Sequence, residues 1–448
     1  MAGLLAARAL ASSFDHVLLV ERDTLDEAAS LRKGVPQAAH AHGVLASGYR
    51  VMDRFFPGIM HELETQGAWR GDVLGDFLWY LHGHWKVRHH ANLRGIVVSR
   101  PCLEAAIRRR VRALPNVVLR DGTSAIAPVY DAAARRVSGL VVQRRHGGSD
   151  ETLSCDLLVD ASGRGSHASK WLETWGFDGP PIDAVRVDVG YATRVFERHP
   201  GDFFGSIGGV IAATPPHSTR YAAVLAAEGN RWIITLAGML GDHPPDDEAG
   251  WMAYARSLPV DAVHDLAAAA PAIGGISTYR FSANQRRRYE KVARLPDGFL
   301  VVGDAVCSFN PIYGQGMSTA ALEAQALEAT VAEGLDRLAP RFYDRARRIV
   351  DIAWSIATGE DLKYPQVQGP RPAGFALVNR YVTRLHAVAA EDDFVSRRFL
   401  DVLGLDASPA SLLAPAVAWR VLARRAPRTA GSPWPAAATS APAARLAD

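Results

Sequence analysis

Cysteine, lysine and long apolar runs are all scarce in this sequence of 448 residues. Its three cysteines, Cys102, Cys155 and Cys307, are odd in number and far apart, with no CxxC pair. That excludes a disulfide framework and a zinc centre of the usual spacing, and it suits a reducing, cytoplasmic compartment. No apolar stretch approaches the roughly 20 residues that span a bilayer. The first ten residues carry Arg8 and not a basic start followed by a long apolar segment, so no secretory signal is expected. Lysine occupies only positions 33, 86, 170, 291 and 363; arginine supplies the rest of the 50 basic residues, against 47 acidic ones. A net charge of +3 makes no nucleic-acid surface. A GxSxG elbow and a Walker A turn are also missing, which removes the serine-hydrolase and P-loop readings.

What is present is an ordinary globular balance, 48% apolar and 22% charged. The length suggests two interlocked domains plus an appendage. Residues 3–12 read as a helix, with Leu4, Leu5, Ala7 and Leu10 on helical spacing. The next segment, HVLLVE at residues 16–21, reads as a short strand whose unbroken apolar run suits a parallel sheet covered on both faces. Residues 30–60 mix loop and helix, and 68–98, rich in Trp, Tyr, Leu and Val, read as antiparallel strands. A helix over 101–113 has Ser99 as its cap and Pro101 near its first position. Strands follow at 116–120, 137–144 and 156–159, and several more lie within 185–240. Helix returns over 247–270, a buried strand (GFLVV) spans 298–302, a long helix runs over 316–333, and 340–425 is mainly helical. The expected fold is α/β, a doubly wound parallel sheet carrying an inserted antiparallel sheet, with a helical C-terminal region.

Two segments carry chemistry. Gly3, at the start of a helix, is placed like the last glycine of a GxGxxG turn, where helix and strand pack without a side chain between them. Glu21 ends the next strand, where a carboxylate can accept both hydrogen bonds of a ribose diol. The second segment, GDAVCSFNPIYGQGM over residues 303–317, directly follows GFLVV and leads into an Ala-rich helix. Asp304 at the strand's end can bind a polyol chain. Pro311 stiffens the loop without offering a donor. Gly314 and Gly316 let the main chain lie against a flat ring, and the helix starting there aims its unpaired N–H groups at that ring. A reduced flavin, negative near N1 and the C2 oxygen, is the ring such an end would stabilise.

These residues resemble the FAD-dependent monooxygenases of the para-hydroxybenzoate hydroxylase type, together with the related squalene epoxidases, geranylgeranyl reductases and flavin-dependent halogenases. The resemblance covers about residues 1–335. It is strongest at Val20-Glu21-Arg22, Leu31-Arg32-Lys33-Gly34, Ser99-Arg100-Pro101, residues 160–166 and residues 303–317. The stretch FNPIYGQGM looks most like a bacterial subgroup that modifies natural products. The resemblance implies FAD, with Gly3 and Glu21 on the ADP half and Arg22 beside the adenosine. Arg32 would approach the flavin and pyrophosphate edge, and Arg100 the pyrophosphate. Gly163 belongs to the same cofactor set. Asp304 would bind the ribityl chain, with Pro311 and Tyr313 beside the ring and Gly314, Gly316 and Met317 facing N1 and the C2 oxygen. The Rossmann-like FAD domain would be residues 1–67, 99–180 and 286–338, and the inserted substrate domain 68–98 and 181–285. A helical region over 339–425 and a disordered tail over 426–448 would follow. The implied activity is insertion of one oxygen atom, by hydroxylation or epoxidation through a flavin C4a-hydroperoxide, into an apolar or aromatic natural product. Molecular oxygen would be the co-substrate and NAD(P)H the direct or indirect electron donor. A geranylgeranyl-reductase-like reductase or dehydrogenase, and a non-redox cyclase or scaffold, stay open as alternatives.

The sequence departs from the family twice. The chain starts at MAG, where the family has a strand and two further phosphate-turn glycines, so both are expected to precede Met1 in the complete protein. Residues 160–166 read DASGRGS, with Ser162 where the hydroxylases carry an Asp linked to NADPH handling; a separate flavin reductase is therefore a candidate electron source. No WxWxIP segment accompanies Trp171 and Trp175, which weakens a halogenase reading. His40 and His42 lie in the segment that passes the flavin in the family, and His42 is a candidate to orient substrate or a proton. His82, His84, His89 and His90 have no acidic or cysteine neighbour in sequence and read as polar residues on a strand edge, so no metal site is expected. The apolar, basic stretch 411–425 is expected to pack on the flavin domain and not on a membrane surface. Trp79, Tyr80, Trp85, Tyr191, Tyr221 and Trp232 divide between core and an apolar substrate pocket.

Overall fold

The helix Ala2–Leu10 leads into the strand Val17–Val20, which pairs in parallel with Val117–Arg120. A second parallel pair joins Leu158–Asp160 to Phe299–Val301. In the computed structural model, which describes residues 1–145 and 147–424, these two pairs are not hydrogen-bonded to each other. The expected continuous parallel sheet is thus present as two pieces. Gly3 sits at their junction, where a Cβ would lie 3.5 Å from both the Ala161 Cβ and the Leu19 Cδ1. The Val17–Val20 strand is less covered than its apolar run predicts: Leu18 is 43% exposed and its neighbour Val118 is 61% exposed. The expected tail over 426–448 lies outside the described residues.

The helix Arg100–Arg112 has the predicted N-cap, with the Ser99 Oγ accepting from the Cys102 N–H at 3.2 Å. Between it and Leu158–Asp160 lies a three-stranded antiparallel sheet, Thr123–Asp131, Arg136–Arg144 and Glu151–Ser154, of which only the middle strand was legible in the sequence.

The large sheet has eight strands. Their spatial order is Cys307–Ser308, Ala272–Arg287, Ile182–Glu197, Arg231–Gly238, Arg220–Ala227, Gly208–Ile211, Phe77–Leu81 and His84–Trp85. All its contacts are antiparallel except that between Gly208–Ile211 and Phe77–Leu81. The 16-residue strand Ala272–Arg287 has no clean sequence signature: its first half is largely exposed, so alternation with a buried face never develops there. The span read as one helix over 247–270 is two, Glu248–Arg256 and Ala262–Ala269, broken near Pro259. They cover one face of the sheet through a core around Trp232 and Trp251.

Two features put a cleft between the α/β part and this sheet. The chain leaving the parallel strand Phe299–Val301 crosses at once onto the edge of the large sheet, where Cys307 and Ser308 pair with Arg286 and Gln285. The helix Gly316–Val331 then returns into the α/β core, against Ala2–Leu10, Ala46–Phe55 and Leu338–Asp361. The C-terminal helices Phe375–Val388, Asp393–Leu403 and Pro415–Ala423 build a separate core around Leu385, Val395, Val417 and Val421. The stretch expected to pack on the flavin domain therefore packs chiefly on its neighbouring helices, because its buried face (Val417, Val421) matches theirs. No helix of the described residues is long and apolar enough to cross a membrane.

Gly48 marks the closest approach of Ala46–Phe55 to Gly316–Val331: a Cβ there would fall 2.8 Å from the Cα and Cβ of Ser318. Gly48→Val is expected to push these helices apart and to lower stability by about 1–3 kcal/mol, the usual cost of overpacking. Calorimetric or circular-dichroism melting measures this, and an unchanged midpoint would show that the two helices separate freely.

Candidate active site

The centre of the site is the turn after Phe299–Val301. Gly303 adopts a φ of +66°, and a Cβ on it would collide with the Ala2 Cβ at 2.6 Å, so the position demands glycine on both counts. Its N–H donates to the Glu323 Oε2 at 2.6 Å. Glu323 is buried one face into the helix Gly316–Val331. With the turn held, Asp304 is exposed, and its carboxylate accepts no hydrogen bond from the described residues. The side chain is open to water, but it sits deep enough that lost solvation raises its pKa, against the pull of Arg100, the Met1 amino group and Arg164.

Glycine surfaces surround Asp304. Cβ atoms on Gly163 and Gly316 would lie 4.0 Å from its Cβ and Oδ1 respectively. Gly43 and Gly314 face open space, and Gly314 holds a φ of +65° that caps the Pro311–Tyr313 turn. Pro311 is exposed, Tyr313 and Gly314 are half-buried, and Met317 is buried behind them in the α/β core. The first turn of the 16-residue helix Gly316–Val331 opens toward this space.

A buried polar network fixes the same loop from the other side. The Tyr313 hydroxyl donates to the Asp361 Oδ1 at 2.7 Å, and Asn310 Nδ2 donates to the same oxygen at 3.1 Å. Asn284 Nδ2 donates to the other oxygen at 2.6 Å, while its Oδ1 accepts from the Asn310 N–H at 2.6 Å. Tyr191 completes the set by donating to the Asn310 Oδ1 at 3.1 Å. Burial pushes the Asp361 carboxyl up to about 7, with the three donors pulling it back. Arg287 Nη1 adds a bond to the Ala305 carbonyl at 2.9 Å.

Beside Asp304 lies a charged group. Arg100 is half-buried; its buried Nε has no hydrogen-bond partner among the described residues and stands 3.9 Å from the Glu104 Oε2. Arg32 pairs with Glu104, with Glu21 at 3.2 Å and with Asp23 at 3.6 Å. Arg32 thus bridges Glu21 and Glu104, the acid that also neighbours Arg100. Glu21 also accepts from the Asp23 N–H at 2.9 Å. Arg22 lies exposed on the surface, away from these pairs. His42 is 2.8 Å from the His40 carbonyl, and burial, followed by the charge of Arg100, lowers it to about 3, so it stays neutral. His40 is buried with its Nδ1 2.7 Å from the Thr193 Oγ1 and its Nε2 unpartnered.

A family model described as FAD binding domain matches residues 2–345, about three quarters of the chain. The chain belongs to that family. A Mycobacterium tuberculosis protein, Rv3254, is 32% identical over 424 residues, covering 89% of this chain and 87% of the relative. Among solved structures, the flavin-dependent brominase Bmp2 matches with a TM-score of 0.64 at 12% identity, over 90% of this chain and 91% of its own. The p-nitrophenol 4-monooxygenase PnpA of Pseudomonas putida matches with a TM-score of 0.63 at 18% identity, over 90% and 95%. At such identities the two structures speak for the fold alone.

The residues present fit the isoalloxazine–ribityl half of FAD. Asp304 is a free acceptor for the sugar alcohol, Gly43, Gly163, Gly314 and Gly316 leave flat surface, and the buried Nε of Arg100 offers an unmatched donor. On the adenosine side Glu21 is already engaged by Arg32 and the Asp23 N–H. Past the loop lies a cavity of about 1110 Å³, lined among others by Gly43, Pro311 to Gly314, Tyr191, Tyr221 and Trp79. Ala41 and Gly43, the neighbours of His42, line it, whereas His42 itself lies on the Arg100 side. Trp232 is core.

Sequence reasoning missed Glu104, Glu323, Asn284, Asn310 and Asp361. Only Glu104 had a usable signal, its four-residue spacing from both Arg100 and Arg108 on one helix. The others are polar residues whose partners are distant in sequence.

Glu323 gives a pH test. Burial raises its carboxyl to about 8 from an ordinary 4.5, while the Gly303 N–H pulls the other way. A raised folded-state value means stability that is complete below the unfolded pKa and lost as pH rises through the folded one. The melting midpoint of the wild type should therefore fall more steeply between about pH 5 and 8 than that of Glu323→Gln, which keeps the acceptor for Gly303 and cannot ionise. Parallel curves for the two proteins would refute the assignment.

Proposed function

We propose that this chain is an FAD-dependent monooxygenase that adds one oxygen atom to a large apolar molecule. The observation that carries the reading is an adjacency on one loop: Asp304, flanked by Gly163 and Gly316 and accepting no hydrogen bond from the described residues, is followed by Pro311 to Gly314, which line an apolar cavity. Bound there, FAD supplies electrons to activate molecular oxygen, with NAD(P)H as their direct or indirect source.

The chain's own contribution is positional and electrostatic. Asp304 grips the ribityl hydroxyls. The N-terminus of Gly316–Val331 opposes negative charge on the ring edge near N1 and the C2 oxygen. Tyr313 is locked by Asp361, and that carboxyl, near 7, can take up or hold a proton through the Tyr313 hydroxyl. The apolar wall excludes water from the reacting face. Ser162, in place of the acidic residue tied to NADPH handling in the family, supports a separate reductase as electron donor.

Asp304→Ala should weaken FAD binding roughly 10-fold or more, the loss of charge-assisted hydrogen bonds, as measured by flavin fluorescence titration. Undiminished FAD retention would remove the site. With a reductase, NADPH and ¹⁸O₂, the product should carry one labelled oxygen; a saturated or desaturated product without label would establish a reductase or dehydrogenase instead.

A further inference from the structure

One buried polar cluster on the cavity wall is left unused by the oxygenation reading. His82 and Gly83 form the turn between Phe77–Leu81 and His84–Trp85, with His82 at a φ of +52°, a corner that Asn or Gly occupies more easily. The His82 Nε2 is 3.1 Å from the Glu360 Oε2. Its ring stacks on that of His386, with centroids 4.1 Å apart and planes at 21°. All three residues line the cavity. The acidic partner absent from the neighbourhood of His82 in sequence is supplied by a helix 278 residues further on.

The charges around the cluster are distinct. Against its burial, Glu360 is held down at about 2 by Lys363 and His82, with the Lys363 Nζ 2.5 Å from its other oxygen. His386 is kept neutral, first by burial and then by the neighbouring cations, and its buried Nδ1 has no partner among the described residues. The Lys86 ammonium, lowered to about 7 by burial, donates to the His386 carbonyl at 2.6 Å.

Two histidines and a carboxylate with donor atoms within 4.8 Å of one another have the composition of a cation site. Their arrangement argues otherwise. Near-parallel stacked rings do not converge their lone pairs on one point, and the Glu360 charge is already matched by Lys363. An acidic ligand group would meet the ionised Glu360, and a basic one would find that charge already matched by Lys363. A hydroxyl, which both donates and accepts, suits either proton arrangement of His82 and the unpartnered His386.

We infer that His82, Glu360 and His386 form a substrate subsite that binds the hydroxyl of a hydroxylated polycyclic molecule, whose apolar remainder fills the cavity. The inference rests on reading the cavity as the substrate chamber. Its volume, about 1110 Å³, lies at the upper end of small-molecule pockets, so a single ring leaves most of it empty. The subsite is tied to the flavin-facing loop through one helix, Leu338–Asp361: Glu360 directly precedes Asp361, the acceptor for Tyr313. The same helix turn thus carries an acid of the subsite and the acid that locks Tyr313.

The test uses the full chain, oxidised and without reductant, with pyrene and 1-hydroxypyrene as fluorescent four-ring probes. Wild type should bind 1-hydroxypyrene about fivefold more tightly than pyrene, the worth of one net hydrogen bond. Glu360→Gln and His386→Leu should each bring that ratio close to one, with pyrene affinity unchanged as the internal check on cavity integrity. Equal affinities for both probes in wild type, or a ratio that survives in both variants, overturns the subsite. Binding of one equivalent of Zn²⁺ that is lost in His386→Leu overturns it in favour of a metal centre. Since no turnover is involved, failure of ¹⁸O incorporation would leave the ratio intact, and loss of the ratio would leave the oxygenation reading standing.

Discussion

Two buried carboxyls hold the segment between Gly303 and Gly316. Glu323 takes the Gly303 N–H at one end, and Asp361 takes Tyr313 and Asn310 at the other. Everything proposed for the site depends on that double attachment. The segment changes partners within a few residues, from a parallel strand in the α/β part to the edge of the large antiparallel sheet, and it would otherwise be a free crossing loop. Fixed at both ends, it presents Asp304 outward from one side and Pro311 to Gly314 toward the cavity on the other. Such preorganisation is what a site needs when the chemistry resides in a cofactor and the protein must place it.

The neighbouring acids Glu360 and Asp361 show how one helix serves two purposes. Adjacent in sequence, they are turned by the helix toward different partners. Glu360 meets Lys363 and His82 and stays ionised; Asp361 meets neutral amides and a phenol in a dry interior and is raised to about 7. Environment, not residue type, separates their behaviour. The separation puts a fixed charge at the cavity wall and a proton-holding group behind the loop, from a single turn of Leu338–Asp361.

Local signals in the chain were read well where the physics is local. The Ser99 cap with its proline, the apolar strand before Gly303, and the helix beginning at Gly316 all announce themselves within a few residues. The strand Ala272–Arg287 did not, because its exposed half offers no buried face to alternate with. Thr123–Asp131 was equally silent, because most of its residues are half-buried and no alternation of a buried with an exposed face develops. The ion pairs of Arg32 were not legible either, because one of its three carboxylates, Glu104, lies 72 residues further along the chain.

By itself the sequence determined the family-bearing loop, the class of cofactor it suits and the mixed α/β character, since glycine placement, helix starts and apolar runs act over a few residues. Tertiary structure alone decided which acids are buried, which histidine meets Glu360, and how large the chamber is. Those depend on burial and on partners as far apart as His82 and Glu360, and the energy of a charge or hydrogen bond is set by what surrounds it after folding.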